Sequence, residues 1–147
     1  MVAKEIDFPP VWLAGFAVAG GLIGRIVPVA TPVNDPLGAL LVVVGLLLMV
    51  VAAGQMIVAR TTLIPRRDPD ALVHGGVFRF SRNPIYLADA IILAGLYFAW
   101  DAIIALPLVA VFVIVIQRRF IHDEEVRLGQ RFGEEYLDYT ARVRRWL

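Results

Sequence analysis

Apolar residues in this chain gather into four blocks, 10–27, 37–59, 85–100 and 102–116, with short polar connections after the first and third and a long one after the second. The second block is long enough to cross a hydrocarbon core of ~30 Å as a helix, since each residue rises about 1.5 Å. The last two are shorter. At about sixteen residues each would span only ~24 Å, so they extend into flanking polar residues or form a tight hairpin reaching most of the way across. Trp100 and Asp101 mark the turn between them, with Asp101 the expected N-cap and Pro107 an expected kink in the fourth helix.

Between 61 and 84 the chain is polar and broken by Pro65, Pro69, Gly75, Gly76 and Pro84, which predicts a loop with turns at the membrane surface. From 118 to 143 a helical period returns. Ile121, Leu128, Phe132, Tyr136 and Tyr139 recur at spacings of three, four or seven, with Glu124, Glu125, Arg127 and Arg131 flanking them. That is one apolar stripe on a helix lying against the loop or the membrane surface. Gly20 and Gly24, four apart, and Gly38, Gly45 and Gly54 in the second block predict close helix approach. The expected fold class is all-α integral membrane: four transmembrane helices, the last two a hairpin, plus a cytoplasmic C-terminal helix. One domain covers 1–147, with two N-terminal helices in 1–60 and the loop, hairpin and C-terminal helix in 61–147.

Composition agrees with that reading. Hydrophobic residues make up 59% of the chain and charged residues 18%, with a mean hydropathy of +0.74, too apolar for an ordinary soluble domain of this length. The absence of cysteine excludes disulfides, thiolate metal sites and cysteine nucleophiles. Net charge is only +1, but its distribution orients the chain. Arg60, Arg66, Arg67, Arg79 and Arg82 fall between the second and third blocks, and a further series from Arg118 to Arg145 follows the fourth. The other two connections carry no Lys or Arg, so the positive-inside rule puts both termini and the long loop in the cytoplasm, in an inner membrane of bacterial or archaeal type. A cleavable signal peptide is the competing reading of the N-terminus, since Lys4 precedes an apolar stretch. Glu5 and Asp7 dilute its basic region, and removing the first helix would break the charge parity.

The candidate chemistry lies in two runs flanking the helical hairpin. The first is Leu72-Val73-x-Gly75-Gly76-Val77-Phe78-x-x-x-Arg82-Asn83-Pro84-x-Tyr86; the second is Glu124-Glu125, followed by Phe132-Gly133-x-x-Tyr136-x-x-Tyr139-x-x-x-Val143. In this order they resemble the isoprenylcysteine carboxyl methyltransferase and phospholipid methyltransferase superfamily, integral membrane enzymes that use S-adenosyl-L-methionine. The resemblance covers 61–147. It implies a cofactor site made of Leu72, Val73, Phe78, Arg82, Asn83, Pro84, Tyr86 and Glu124, with Arg82 and Glu124 also carrying catalysis. A substrate-orienting arginine of the family is missing, its position being Phe120, and Arg118 and Arg119 are the expected substitutes. The prenylcysteine-methylating members carry His where this chain has Asn83 and Tyr where it has Phe78, which counts against prenylcysteine as the acceptor.

Elementary chemistry points the same way. A sulfonium donor with an adenosine ring and an amino-acid tail calls for an apolar slot, a carboxylate and a cation, and Tyr86, Glu124 and Arg82 are residues of those types. Methyl transfer gains mainly from holding donor and acceptor close and aligned, with a base needed only if the acceptor carries a proton. Asp89, one turn into the third helix, is a further substrate candidate because buried charge in a membrane is costly. The expected acceptor is lipophilic, and its identity stays open among a prenylated carboxylate, a phospholipid amine and a small thiol or acid. Plainer readings stand beside each residue: Glu124 and Glu125 as solvated acids, Arg79 and Arg82 as headgroup anchors, Asn83 with Pro84 as a helix cap, and His74 as a surface histidine. A non-catalytic membrane protein keeping the fold is the rival from another class. No metal-ligand cluster is visible, and the basic face is read as attracting membrane lipid, with no nucleic acid among its partners.

Overall fold

A computed structural model describes residues 7–147; Lys4 and Glu5, on which the signal-peptide reading rests, lie outside them. Among the described residues all regular structure is helical. Helices α1 (Pro9–Ile26) and α2 (Asn34–Val58) are followed by the long loop, which closes with a single 3₁₀ turn at Gly76–Arg79. Then come α3 (Pro84–Ala99), a 3₁₀ turn (Ile103–Ala105), α4 (Pro107–Ile116), a π-helical stretch (Gln117–Ile121), α5 (His122–Phe132) and α6 (Glu134–Arg142). Three runs, Pro9–Ile26, Asn34–Val58 and Ile103–Phe132, are long and apolar enough to cross a membrane, and α3 is a shorter apolar helix of 16 residues.

Position within the bundle explains the composition of each helix. α3 is the central element, with Ala88, Leu93 and Tyr97 fully enclosed, and its most extensive pairing is with α2. α1 and α2 instead turn Val18, Leu22, Leu47 and Val50 outward. In a bilayer that is the stable arrangement, because lipid solvates such side chains as well as a protein core does. The expected close approaches occur at Gly38 and Gly45, where an added Cβ would meet the Ala99 backbone at 2.6 Å and the Ile92 side chain at 2.6 Å, whereas Gly54 faces open space. Gly20 makes room for the Tyr97 ring, whose hydroxyl donates to the Phe16 carbonyl at 2.7 Å and ties α3 to α1.

Three sequence expectations change. Pro107 opens α4 instead of kinking it, because the 3₁₀ turn ends just before it and the first turn of a helix tolerates a missing N–H. Asp101 caps no helix; at φ +55° it turns its carboxylate to Asn34 Nδ2 at 2.6 Å. Asn34 also donates to the Val29 carbonyl and accepts from the Thr31 hydroxyl, so the two connections without Lys or Arg are stapled together at one end of the bundle. The single C-terminal helix is two, broken at Gly133 with φ +52° and ψ −124°, a conformation that a residue with a Cβ rarely adopts. The break lets Tyr136, Tyr139 and Val143 fold back on Leu128, Phe132 and the loop residue Leu72.

Candidate functional site

At the end of the bundle opposite that staple, the start of α1, the end of α2, the long loop, the start of α3 and the face of α5 enclose a cavity of about 300 Å³. Leu72, Val73 and Phe78 line it from the loop, Arg82, Asn83 and Pro84 from the approach to α3, Tyr86 from α3 itself and Glu124 from α5. All eight residues expected to hold a cofactor therefore face one space.

Local hydrogen bonds bring each of them there. The Thr61 hydroxyl accepts from the N–H groups of Asp70 (3.2 Å) and Ala71 (3.4 Å), folding the loop so that Leu72 and Val73 follow along the wall. Gln55, on the last turn of α2, accepts from the Val77 N–H at 3.1 Å, and its amide fills the space where a side chain at Gly76 would stand. Tyr139 donates its hydroxyl to the Phe78 carbonyl at 2.7 Å; burial pushes that phenol's pKa up, so it remains a donor.

The two neighbouring glutamates have separate tasks. Glu124 accepts from the Tyr86 hydroxyl at 2.7 Å and faces the cavity. Glu125 is taken up by arginines: Arg145 donates to both its oxygens, at 2.8 and 2.7 Å, and Arg82 Nη1 lies 3.4 Å away. The Glu125 hydrogen bond holds Arg145 above its usual pKa. The segment after α6 is held beside this cluster, since the Arg82 N–H donates to the Arg144 carbonyl at 3.0 Å, and it is tied separately to the π-helical stretch, where Trp146 Nε1 donates to Gln117 Oε1 at 2.9 Å. Asn83 stands at the N-cap position of α3 with Pro84 following it, but its side chain does not cap. It donates to the Arg145 carbonyl at 3.0 Å, which joins the start of α3 to the C-terminal segment.

Two buried nitrogens have no hydrogen-bond partner among the described residues: Arg82 Nε and Arg127 Nη1, on two arginines that both line the cavity. Unmade donors on a buried cation are costly, and their natural complement is an anionic oxygen.

The remaining sequence candidates divide. Asp89 is 5% exposed and lines the cavity. Arg118 and Arg119 do not: both are exposed, and Arg119 lies over the Trp12 ring, 3.5 Å from Asp7, beside a second and more open groove. The reason is helical geometry. Phe120 is buried in the core, so the two residues before it point away from the site. Arg66 reaches the cavity from the loop instead, stacking over Phe120 at 4.9 Å and bonding Asp7 at 2.6 Å. Arg127 was legible as a site residue, being three positions after Glu124 on the same helix face, whereas nothing in the spacing of Arg66 or Tyr139 announced them. His74 is on the surface, 4.0 Å from Glu135.

A family model described as phospholipid methyltransferase matches residues 34–135, more than two thirds of the chain, and so spans every wall of the cavity except those from α1 and α6. No curated protein and no solved structure matches.

Proposed function

This chain belongs to the phospholipid methyltransferase family, within the integral membrane methyltransferases, and on that premise we propose that it transfers a methyl group from S-adenosyl-L-methionine to a phospholipid amine at the cytoplasmic face of the membrane. One observation carries the donor assignment: two unpartnered guanidinium nitrogens, on Arg82 and Arg127, border the same apolar cavity as the Glu124 carboxylate. The donor has a carboxylate for the two arginines, hydroxyl and ammonium groups for Glu124, and a flat ring for the slot of Leu72, Val73 and Phe78. When bound it supplies an electrophilic methyl on sulfur. The chain's own part is to bind and orient: the Arg82 to Glu125 to Arg145 network fixes one wall, and Tyr86 fixes the Glu124 carboxylate.

The acceptor reading rests on the family and on two side chains. The Asn83 amide donates to a backbone carbonyl, and Phe78 has no hydroxyl, so the two positions at which prenylcysteine-methylating relatives differ offer no replacement for His or Tyr. With the positive-inside rule, four crossings put both termini and the cavity mouth on the cytoplasmic side.

Calorimetric titration of S-adenosyl-L-methionine into the detergent-purified chain tests the first half, and transfer of labelled methyl to phosphatidylethanolamine in vesicles tests the second. Saturable donor binding with label in the lipid fraction is expected. Absence of donor binding would leave the non-catalytic reading in its place.

A further inference from the structure

α3 carries a carboxylate that the framework does not use. Asp89 is 5% exposed, stands three residues past Tyr86 on the same helix face and lines the cavity. Five residues beyond Pro84, it lies roughly 7–8 Å farther along the helix than the α3 start, at about 1.5 Å per residue. Among the described residues no hydrogen bond or ion pair reaches it. The other acid lining the cavity, Glu124, is engaged by Tyr86, and Glu125 and Asp7, outside the lining, are held by Arg82 with Arg145 and by Trp12 with Arg66. A bare carboxylate in an apolar wall is unfavourable until it meets a cation or a proton.

We propose that Asp89 is the proton acceptor for a lipid amine, and so the catalytic residue that fits this cavity to nitrogen acceptors. The proposal rests on the methyltransferase reading above and goes beyond it by assigning the base. An amine headgroup is an ammonium at neutral pH, and its nitrogen then has no free pair with which to attack. Paired with Asp89, the ammonium gives its proton to a carboxylate oxygen, and surroundings that penalise both charges favour the neutral amine and the neutral acid. The freed nitrogen pair forms the new N–C bond as the C–S bond of the sulfonium donor breaks. The electrons of the broken bond stay on sulfur, the positive charge passes to nitrogen, and Asp89 later releases its proton to water at the cavity mouth. A thiolate or carboxylate acceptor would need no such base.

The other charged and titratable groups facing this space are Tyr86 on α3, Glu124 and Arg127 on α5, Tyr139 on α6, and Arg66, Arg67 and Arg82 on the loop, while α2 contributes only Met49 and Met56. Glu124 is less suited to the task, because the Tyr86 hydroxyl already donates to it and Arg127 follows one turn later.

Three measurements on the full chain test the assignment. Without any donor, dodecylamine should bind the purified native protein at least tenfold more tightly than dodecanol, and Asp89→Asn should erase that preference. Asp89→Asn should keep S-adenosyl-L-methionine affinity within about twofold, which also reports that the site is folded, while methylation of phosphatidylethanolamine at neutral pH falls roughly a hundredfold or more, the usual contribution of a positioned base. Because free amine replaces the missing base as pH rises, the variant's rate should climb about tenfold per pH unit toward the amine's own pKa, and Asp89→Glu should recover part of the neutral-pH rate. Donor affinity falling in step with activity in Asp89→Asn would assign Asp89 to the donor and overturn the proposal. So would a variant pH profile parallel to the native one, or a native protein that binds donor but methylates no amine. A native protein that binds no donor would instead remove the methyltransferase reading on which the assignment rests.

Discussion

Glu124→Gln is the substitution that most directly interrogates the donor site. The amide has nearly the shape of the carboxylate and can still accept from the Tyr86 hydroxyl, now 2.7 Å from Glu124 Oε1, so the wall between α3 and α5 survives. What is lost is the negative charge offered to donor hydroxyl and ammonium groups. A hydrogen bond to a charged group contributes about 1.5–3 kcal/mol, which at about 1.4 kcal/mol per decade is a roughly ten- to hundredfold weaker dissociation constant. Tyr86→Phe should cost the donor less than about tenfold, since it removes only a neutral hydroxyl that orients the carboxylate. Glu125→Gln behaves differently. Arg82 and Arg145 lose the charge, and Arg145 one of the two acceptors, of their shared partner, so this variant should show the largest drop in thermal midpoint of the three. Isothermal titration with S-adenosyl-L-methionine, run beside melting curves on the same samples, separates these outcomes. Native-like donor affinity in Glu124→Gln would refute the assignment of Glu124 to the donor.

Three further outcomes are expected. Cysteines placed at Val33 and Asp68, both exposed, should react with a membrane-impermeant thiol reagent from opposite sides of sealed vesicles, and reaction from one side alone would end the four-crossing topology. The Asp7 carboxyl is held below the ordinary aspartate value of 3.8 by the Trp12 N–H and by Arg66, so the tie between the N-terminus and the loop is fully present above that value and is lost as pH falls through the lowered pKa; protease protection of 61–71 should fall in that range in the native chain, and stay flat in Asp7→Asn. Met49→Trp should impair methylation of a long-chain acceptor much more than donor binding, because Met49 lines the cavity from the lipid-facing helix α2; equal loss of both would argue against lateral access.

Much of this arrangement was legible in the residues, and the limits of that legibility follow from what a linear pattern encodes. Hydropathy located α1 to α3 to within three residues and the start of α4 to within five, because burial in lipid requires long apolar runs whatever their neighbours are. The run from Leu72 to Tyr86 and the acid Glu124 were picked out by type and order, and they share one cavity. Spacing says which residues share a helix face, however, and not which loop lies against it. Arg66 enters the site through a fold-back pinned by Thr61 and by Asp7, contacts separated by up to 59 positions, and Tyr139 arrives because Gly133 breaks a period that looked continuous. Nor does spacing show that Arg118 and Arg119, near Glu124 in sequence, are turned away from this cavity by the buried Phe120. Glu125 read as a solvated acid until the C-terminal segment, returning past α6, supplied Arg145.

The shortness of α3 bears on the proposed chemistry, which joins a water-soluble donor to a lipid. Its 16 residues reach only ~24 Å, while the neighbouring runs of 25 and 30 residues reach ~37 and ~45 Å. Where α3 stops, its longer neighbours continue, and the space above Pro84 is roofed by the loop and α5 instead of by lipid. Polar side chains can therefore stand at a depth where lipid would otherwise exclude them, because each is paired within the protein or turned toward the cavity. A cavity in that position borders water through the loop and hydrocarbon through Met49 and Met56, so donor and acceptor need not share a path. Extending α3 upward by one turn, for instance by replacing the 3₁₀ turn Gly76–Arg79 and its link with a helical segment, would fill this space while lengthening the apolar span. Such a chain should insert at least as well as the native one and bind no donor, and donor binding by it would show that the recess is not what holds the site.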